Sequence, residues 1–270
     1  MPVQDKILQI LGAFSIERPS LTLSELSRIT GLPASTVHRL VAHLSAWGAL
    51  ERDERGRYVI GLRLWQVGTL SPRSYEQRAL VVPFLEQLFL DTRQQVALSA
   101  FHPDGQVVVE QHLGWRDVDQ FAGIGERLPL HASSPGLILL AFGSAEVRRS
   151  VSAGALRRYT SRTVVDATAL ARVLEKVRST SIAISEGALV ASTSSMSAPV
   201  FGHRGKLYGA VTIVWTRDAA DPADFENRLR STANRISAAM GETSHEPLPH
   251  PVRRGLFNPP HRADASRPRE

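Results

Sequence analysis

Thr22-Leu23-Ser24-Glu25-Leu26-Ser27-Arg28-Ile29-Thr30-Gly31, followed at once by Leu32-Pro33-Ala34-Ser35-Thr36-Val37-His38-Arg39-Leu40-Val41-Ala42-His43-Leu44, carries two short helices and the turn between them. A threonine with a glutamate three residues on is a capping box, which opens the first helix at Thr22. Leu23, Leu26 and Ile29 are its apolar stripe, and Gly31 suits a left-handed C-cap. Pro33 is well tolerated in the first turn of the next helix. Val37, Leu40, Val41 and Leu44 recur at helical spacing, and Gly48 closes that helix.

The second helix has two unlike faces. With about 100° per residue, the Val37–Leu44 stripe leaves Ser35, Arg39 and Ala42 opposite, flanked by Thr36 and His38. Small hydroxyls at the N-terminal end allow close approach to phosphate, where backbone N–H groups also favour anions. Arg39 can reach a guanine edge or a phosphate, and His38 can donate to either. A packed back with a front that is small and polar, then cationic, is what a DNA-reading helix needs.

Working outward, Val3, Ile7, Leu8, Ile10, Leu11 and Phe14 predict an amphipathic helix over 3–14 that Pro19-Ser20 breaks. Downstream, Ala49-Leu50-Glu51-Arg52 and Arg57-Tyr58-Val59-Ile60 flank Asp53-Glu54-Arg55-Gly56, a small hairpin. Three helices and a hairpin make a winged helix-turn-helix over 1–60, in which Arg52, Arg55 and Arg57 are placed to lie along a DNA backbone without reading sequence. Residues 61–75 predict a connecting helix that stops at Pro72.

Residues 76–243 read as an α+β domain with an antiparallel sheet. A helix is expected from about Tyr75 to Leu90. Hairpins are expected around His102-Pro103-Asp104-Gly105 and around His203-Arg204-Gly205, with strands at 96–101, 106–111, 196–201 and 207–214. Further helices are expected at 135–142, 167–179 and 222–240. Residues 244–270 hold six prolines, five arginines and three histidines without apolar periodicity, and read as a disordered tail.

The chain of 270 residues has a net charge of +6 and no cysteine. Disulfides, thiolate metal sites and a cysteine nucleophile are therefore excluded. Residues 1–75 hold nine basic and six acidic side chains, whereas 76–243 hold 18 and 17. A basic N-terminal unit beside a near-neutral domain suits an anionic partner for the first alone. No apolar run approaches membrane-spanning length and the N-terminus lacks the order of a secretory signal, so no membrane partner and a cytoplasmic location are expected.

Enzyme chemistry finds no support in the spacing of residues. There is no G-x-S-x-G elbow and no glycine-rich loop with a lysine. His245-Glu246-Pro247-Leu248-Pro249-His250 imitates a zinc motif with the wrong spacing and two helix-forbidding prolines. His102, His112, His131 and His203 stand singly, and Asp117-Val118-Asp119 reads as a solvated loop pair. No metal, cofactor or catalytic residue is expected.

Five stretches occur in a telling order. They are Gly31 to Leu40; Arg57-Tyr58-Val59-Ile60-Gly61-Leu62; Leu128-Pro129-Leu130-His131-Ala132-Ser133 with Gly136 three further on; Tyr159-Thr160-Ser161-Arg162-Thr163; and Ser197-Ala198-Pro199-Val200-Phe201 followed by Gly205 and Gly209-Ala210-Val211. Together, over residues 3–240, they resemble the IclR family of bacterial transcriptional regulators. The resemblance implies a winged helix, a linker helix that helps to dimerise, and a C-terminal domain of GAF-like fold. It also implies dimers, or dimers of dimers, on palindromic operators, responding to a small-molecule effector that is often an organic acid or aromatic catabolite. A C-terminal domain used only for oligomerisation is the alternative. By the same resemblance the effector pocket falls on Ser133, Ser134, Pro135, Gly136, Glu186, Ser195, Ser197, Thr212 and Val214. On the DNA-reading helix Ala34 stands where a lysine is common, which removes one phosphate contact; in the pocket Leu137 replaces the usual lysine and Trp215 stands where a small residue is usual. The implied pocket is therefore poor in cations and suited to a larger or neutral ligand.

Overall fold

The computed structural model describes residues 1–15, 18–70, 76–101, 107–113, 124–216 and 223–242. The expected turns at 102–105, the end of the linker at 71–75, the Asp117–Asp119 pair and the tail at 244–270 lie outside these residues.

The N-terminal unit runs α1 (Val3–Leu11), β1 (Ser20–Leu21), α2 (Leu23–Thr30), α3 (Ala34–Trp47), β2 (Leu50–Arg52) and β3 (Tyr58–Ile60). Each helix forms where its apolar period lay. Ile10, Leu26, Val37, Leu40, Val41 and Leu50 meet in one core. Burying each such side chain contributes about 1.5–3 kcal/mol, so this core, not the surface charges, sets the stability of the unit. The capping box is present in full, with Thr22 Oγ1 accepting from the Glu25 amide. Gly31 (φ 68°) and Gly48 (φ 85°) supply the left-handed C-caps of α2 and α3.

The expected hairpin has a third strand. β1 pairs with β3, giving the antiparallel order β1-β3-β2. Two residues are too short for alternation to be visible in the sequence. What fixes β1 is side-chain chemistry: Arg57 Nε and Nη2 donate to the hydroxyl and carbonyl of Ser20, and Nη2 also reaches Glu25 Oε2 at 2.7 Å. One arginine thus ties the end of the wing to β1 and to α2. Next comes α4 (Leu62–Thr69), shorter than the expected linker and without a buried residue.

The C-terminal unit runs α5 (Glu76–Thr92), β4 (Gln95–Phe101), β5 (Val107–Leu113), β6 (Arg127–Leu128), α6 (Ser134–Phe142), α7 (Ala145–Ala153), α8 (Ala167–Thr180), β7 (Ala183–Glu186), β8 (Thr193–Phe201), a 3₁₀ turn (His203–Gly205), β9 (Leu207–Thr216) and α9 (Ala223–Glu242). The strands form one antiparallel sheet in the order β6-β5-β4-β9-β8-β7. Both expected hairpins and the four expected helices are present. The short α7, β6 and β7 went unread, since none carries enough apolar periodicity to register.

The sheet separates two environments. Val96 and Leu98, Met196, Ala198 and Val200, and Val211, Ile213 and Trp215 pack with α5 and α9 on one face. Ala183 and Ala210 pack with α6 and α8 on the other. Alternation then places Gln95, Ala97 and Ser99, Ser195 and Ser197, and Thr212 and Val214 on the α6 side.

The node joining α2 to the wing should titrate. The Glu25 carboxyl is held below its ordinary value of 4.5, chiefly by the Thr22 backbone N–H, then by the Thr22 hydroxyl and Arg57. A depressed carboxyl stabilises the fold above its unfolded pKa, and that contribution is lost as pH falls through the folded value. Glu25→Gln should therefore lower the melting temperature at pH 7, with the gap to wild type closing below about pH 4.5. A gap that stays constant from pH 7 to pH 3 would contradict the assignment.

Candidate functional site

On α3, Ser35, His38 and Arg39 are exposed and Thr36 is half-buried, with Ala42 and His43 continuing the open strip. Val37, Leu40, Val41 and Leu44 are buried beneath it. Pro33 offers α3 no side-chain cap, so the amides ahead of Val37 are open at the same end as Ser35 and Thr36. Among the described residues, neither His38 nor Arg39 pairs through its side chain. The strip therefore presents unsatisfied donors and a free guanidinium to an anionic surface.

The three wing arginines separate in the structure. Asp53 Oδ1 accepts the amides of Arg55 and Arg57, and Gly56 (φ 75°) completes a tight turn. Arg55 stands exposed on that turn, and its guanidinium has no partner among the described residues. Arg52 is exposed, with its guanidinium 4.9 Å from the Tyr58 ring centroid and a 2.6 Å bond to the Tyr58 hydroxyl. Arg57 instead turns inward to Glu25 and Ser20 and leaves its side chain 31% exposed. Sequence placed it on the DNA backbone; its geometry makes it a brace. Beside it a cleft of about 940 Å³ opens between α2 and the wing, and Arg18, Arg28 and Arg55 also line it.

In the second unit the small polar residues converge. Ser133 caps α6, accepting from the Gly136 amide at 3.3 Å and donating to the Pro129 carbonyl at 2.6 Å. Pro135 and Gly136 are buried in the first turn, where a Cβ on Gly136 would lie 2.4 Å from the Leu130 carbonyl oxygen. Glycine lets α6 start that close to the preceding loop. Ser134 then faces the sheet. The Ser197 hydroxyl bonds Thr212 at 2.7 Å and Ser134 at 2.7 Å, and Ser134 bonds Ser195 at 2.8 Å. Ser134, Ser197 and Thr212 are fully buried, while Ser195 is half-buried, so the row opens at its Ser195 end. Val214 stands opposite Ser195 in the β8–β9 register.

Three features depart from the sequence reading. Glu186 is exposed on the edge strand β7, opposite Ser194, and lines a cleft that none of the four hydroxyl-row residues lines. Trp215 lies on the opposite face of the sheet, its ring centroid 5.5 Å from that of Phe225, and so cannot narrow the pocket. Gln95 and Ser99, which the sequence reading passed over, are buried on the α6 side, and the Ser99 hydroxyl has no partner among the described residues. The signal was there: polar residues alternate with Val96 and Leu98.

No described helix is long and apolar enough to cross a membrane. Among the described residues no cluster of three or more His, Asp or Glu could hold a metal ion.

Residues 4–54 match the IclR helix-turn-helix domain, and residues 73–238 match the C-terminal domain of the bacterial transcriptional regulator IclR. The chain is 28% identical over 242 residues to the HTH-type transcriptional regulator KipR of Bacillus subtilis, covering 88% of this chain and 96% of KipR. It is 26% identical to the HTH-type transcriptional regulator XynR of Escherichia coli, with the same coverage. A crystal structure of an IclR homolog from Microbacterium hydrocarbonoxydans, complexed with 4-hydroxybenzoate, superposes with a TM-score of 0.82 at 28% identity. It covers 88% of this chain and 99% of its own. The chain belongs to the IclR family of bacterial transcriptional regulators: a DNA-binding helix-turn-helix protein and not an enzyme.

Proposed function

We propose that this regulator reads a palindromic operator as a homodimer, or a dimer of dimers, in the cytoplasm. A small-molecule metabolite held on the α6 face of the C-terminal sheet modulates its DNA affinity or activity. The hydroxyl row of Ser134, Ser195, Ser197 and Thr212 is the observation that carries this reading, because it gathers on one face donors and acceptors contributed by one helix and two strands. The row carries no charge, which suits a neutral or hydroxyl-bearing ligand; Ser133, Pro135 and Gly136 fix Ser134 at the start of α6, and Val214 stands opposite Ser195 at the open end. The complex of the Microbacterium homolog with 4-hydroxybenzoate supports a small hydroxyl-bearing ligand.

On the DNA side, Ser35, Thr36, His38 and Arg39 form the reading face. Arg52 and Arg55 accompany the backbone, together with Arg18 and Arg28 from the cleft beside the wing. Arg57 acts indirectly by holding the wing to α2. Leu62, Trp65, Val67 and Leu70 are each half or more exposed along α4. That much exposed apolar surface on one short helix calls for a second copy to cover it.

The mutual bonding of the four hydroxyls also favours a second reading, in which they only lock α6 to the sheet and the domain serves oligomerisation. A thermal-shift panel of aromatic and short aliphatic acids, alcohols and amides separates the two. A rise in melting temperature by mass action supports an effector. No response from any member would leave oligomerisation alone.

Three outcomes follow. Arg39→Ala should weaken binding to a footprinted upstream operator by about 1–3 kcal/mol and relax preference at one position; unchanged affinity and preference would remove Arg39 from the reading face. Thr212→Val, which keeps volume and deletes one hydroxyl, should cost about 1 kcal/mol of affinity for whichever panel member binds, read by calorimetric titration. Equal affinity would place that ligand elsewhere. Trp65→Glu should weaken self-association by about 2 kcal/mol in sedimentation equilibrium, as expected for a buried aromatic anchor; an unchanged association constant would take α4 out of the interface.

A further inference from the structure

Between α8 and β7 lies a cleft of about 550 Å³, within the range of about 300–1,000 Å³ usual for small-molecule sites. Leu137, Val164, Leu170, Val173 and Ile184 give it an apolar wall, and Arg162 and Lys176 stand at its rim. Both cations are exposed, and neither charge has a partner among the described residues. Leu170, Val173 and Lys176 are three residues apart along α8, so one stripe of that helix runs from apolar to cationic.

Arg162 is carried on a fixed loop. The Thr160 hydroxyl donates to the Gly187 carbonyl at 2.7 Å and accepts the Arg162 amide at 3.0 Å. The Thr163 hydroxyl donates to the Ala188 carbonyl at 2.7 Å and accepts the amides of Tyr159 and Thr160. His131 Nε2 bonds the Arg157 carbonyl at 2.8 Å just upstream. Gly187 (φ 65°) lets the Arg162 stem lie across it, since a Cβ there would come within 3.2 Å of Arg162 Cδ. The two threonines thus set a guanidinium beside an apolar wall without neutralising it, an arrangement that costs a bound anion little reorganisation.

We propose that this cleft is a second small-molecule site that takes amphiphilic monocarboxylates, the carboxylate on Arg162 and Lys176 and the apolar body on the aliphatic wall. Ser134, Ser195, Ser197 and Thr212 do not line it; it borders the hydroxyl row at Ser185, which lines the cleft and lies opposite Ser195 in the β7–β8 register. Glu186 lines the same cleft and opposes an anion, which limits the site to a single negative charge and disfavours polyanions.

Calorimetric titration of the full chain with octanoate tests the site, with acetate (no apolar body) and 1-octanol (no charge) as comparisons. Octanoate should bind at least tenfold more tightly than either. Arg162→Ala with Lys176→Ala should weaken octanoate at least tenfold, Glu186→Gln should tighten it severalfold, and Ser197→Ala should leave it unchanged. Circular dichroism and the melting temperature verify that each exposed-residue variant is folded. Three outcomes overturn the proposal: no octanoate binding, binding that survives the double substitution, or binding that Ser197→Ala abolishes. The last would put octanoate on the hydroxyl row and so leave the effector reading intact while this one fails.

Discussion

Side-chain alternation across β4, β9 and β8 is the constraint from which the C-terminal unit takes its form. Each strand sends Val, Leu, Ile, Met or Trp to α5 and α9 and small or polar residues to α6. The first face supplies the burial that stabilises the unit. On the second the strands themselves supply less, because Ser, Thr, Gln and Ala bury little apolar area and bring polar atoms that need partners, and the apolar burial comes mainly from α6 and α8. A sheet that surrenders one face in this way accepts a less stable core in return for an interior lined with hydrogen-bonding groups. Such an interior belongs with recognition more naturally than with packing alone. Gly136 belongs to the same constraint, since only a residue without Cβ lets α6 begin close enough to the loop before it for Ser134 to meet Ser195 and Ser197.

The N-terminal unit follows a different logic. Its core is apolar and periodic, so the helices form where the sequence places them, and the polar front of α3 is left free because its back is fully committed. Orientation of the wing rests on Arg57, which joins Ser20 and Glu25 across more than thirty residues of chain. The same Glu25 oxygen also closes the capping box of α2. A single carboxylate therefore links the start of one DNA-proximal helix to the hairpin beside it. Loss of either partner would loosen the wing without touching the reading face.

How much of this was legible in the sequence depended on the length scale of each signal. The α3 faces were readable because eight residues at period 3.6 suffice to separate front from back. The two residues of β1 carried no period, and only the destination of Arg57 reveals the strand. An arginine in a wing announces its charge but not its direction, which is why Arg52, Arg55 and Arg57 looked alike and are not. Trp215 was attached to the pocket by analogy of position, yet it lies an odd number of residues from Thr212, and strand alternation alone sends it to the other face. Glu186 lies opposite Ser194 on the edge strand β7, one residue out of register with Ser195, a placement that only the pairing of β7 with β8 exposes. The residues of the hydroxyl row entered only as effector-pocket positions implied by the family resemblance, and nothing in the sequence showed them as a bonded chain running from a buried threonine to a half-buried serine.

The proposed regulation is a coupling between two units, and coupling free energy is reciprocal: a ligand that changes operator affinity by some factor must itself bind the operator complex with an affinity changed by that factor. The direct measurement is the dissociation constant of the identified effector for the free protein and for the same protein saturated with its operator duplex. The two constants should differ, by the same ratio by which the effector shifts the operator dissociation constant, with each shift about 5–150-fold. Equal constants for free and DNA-bound protein would show that the hydroxyl-lined face does not communicate with α3, and would contradict the account.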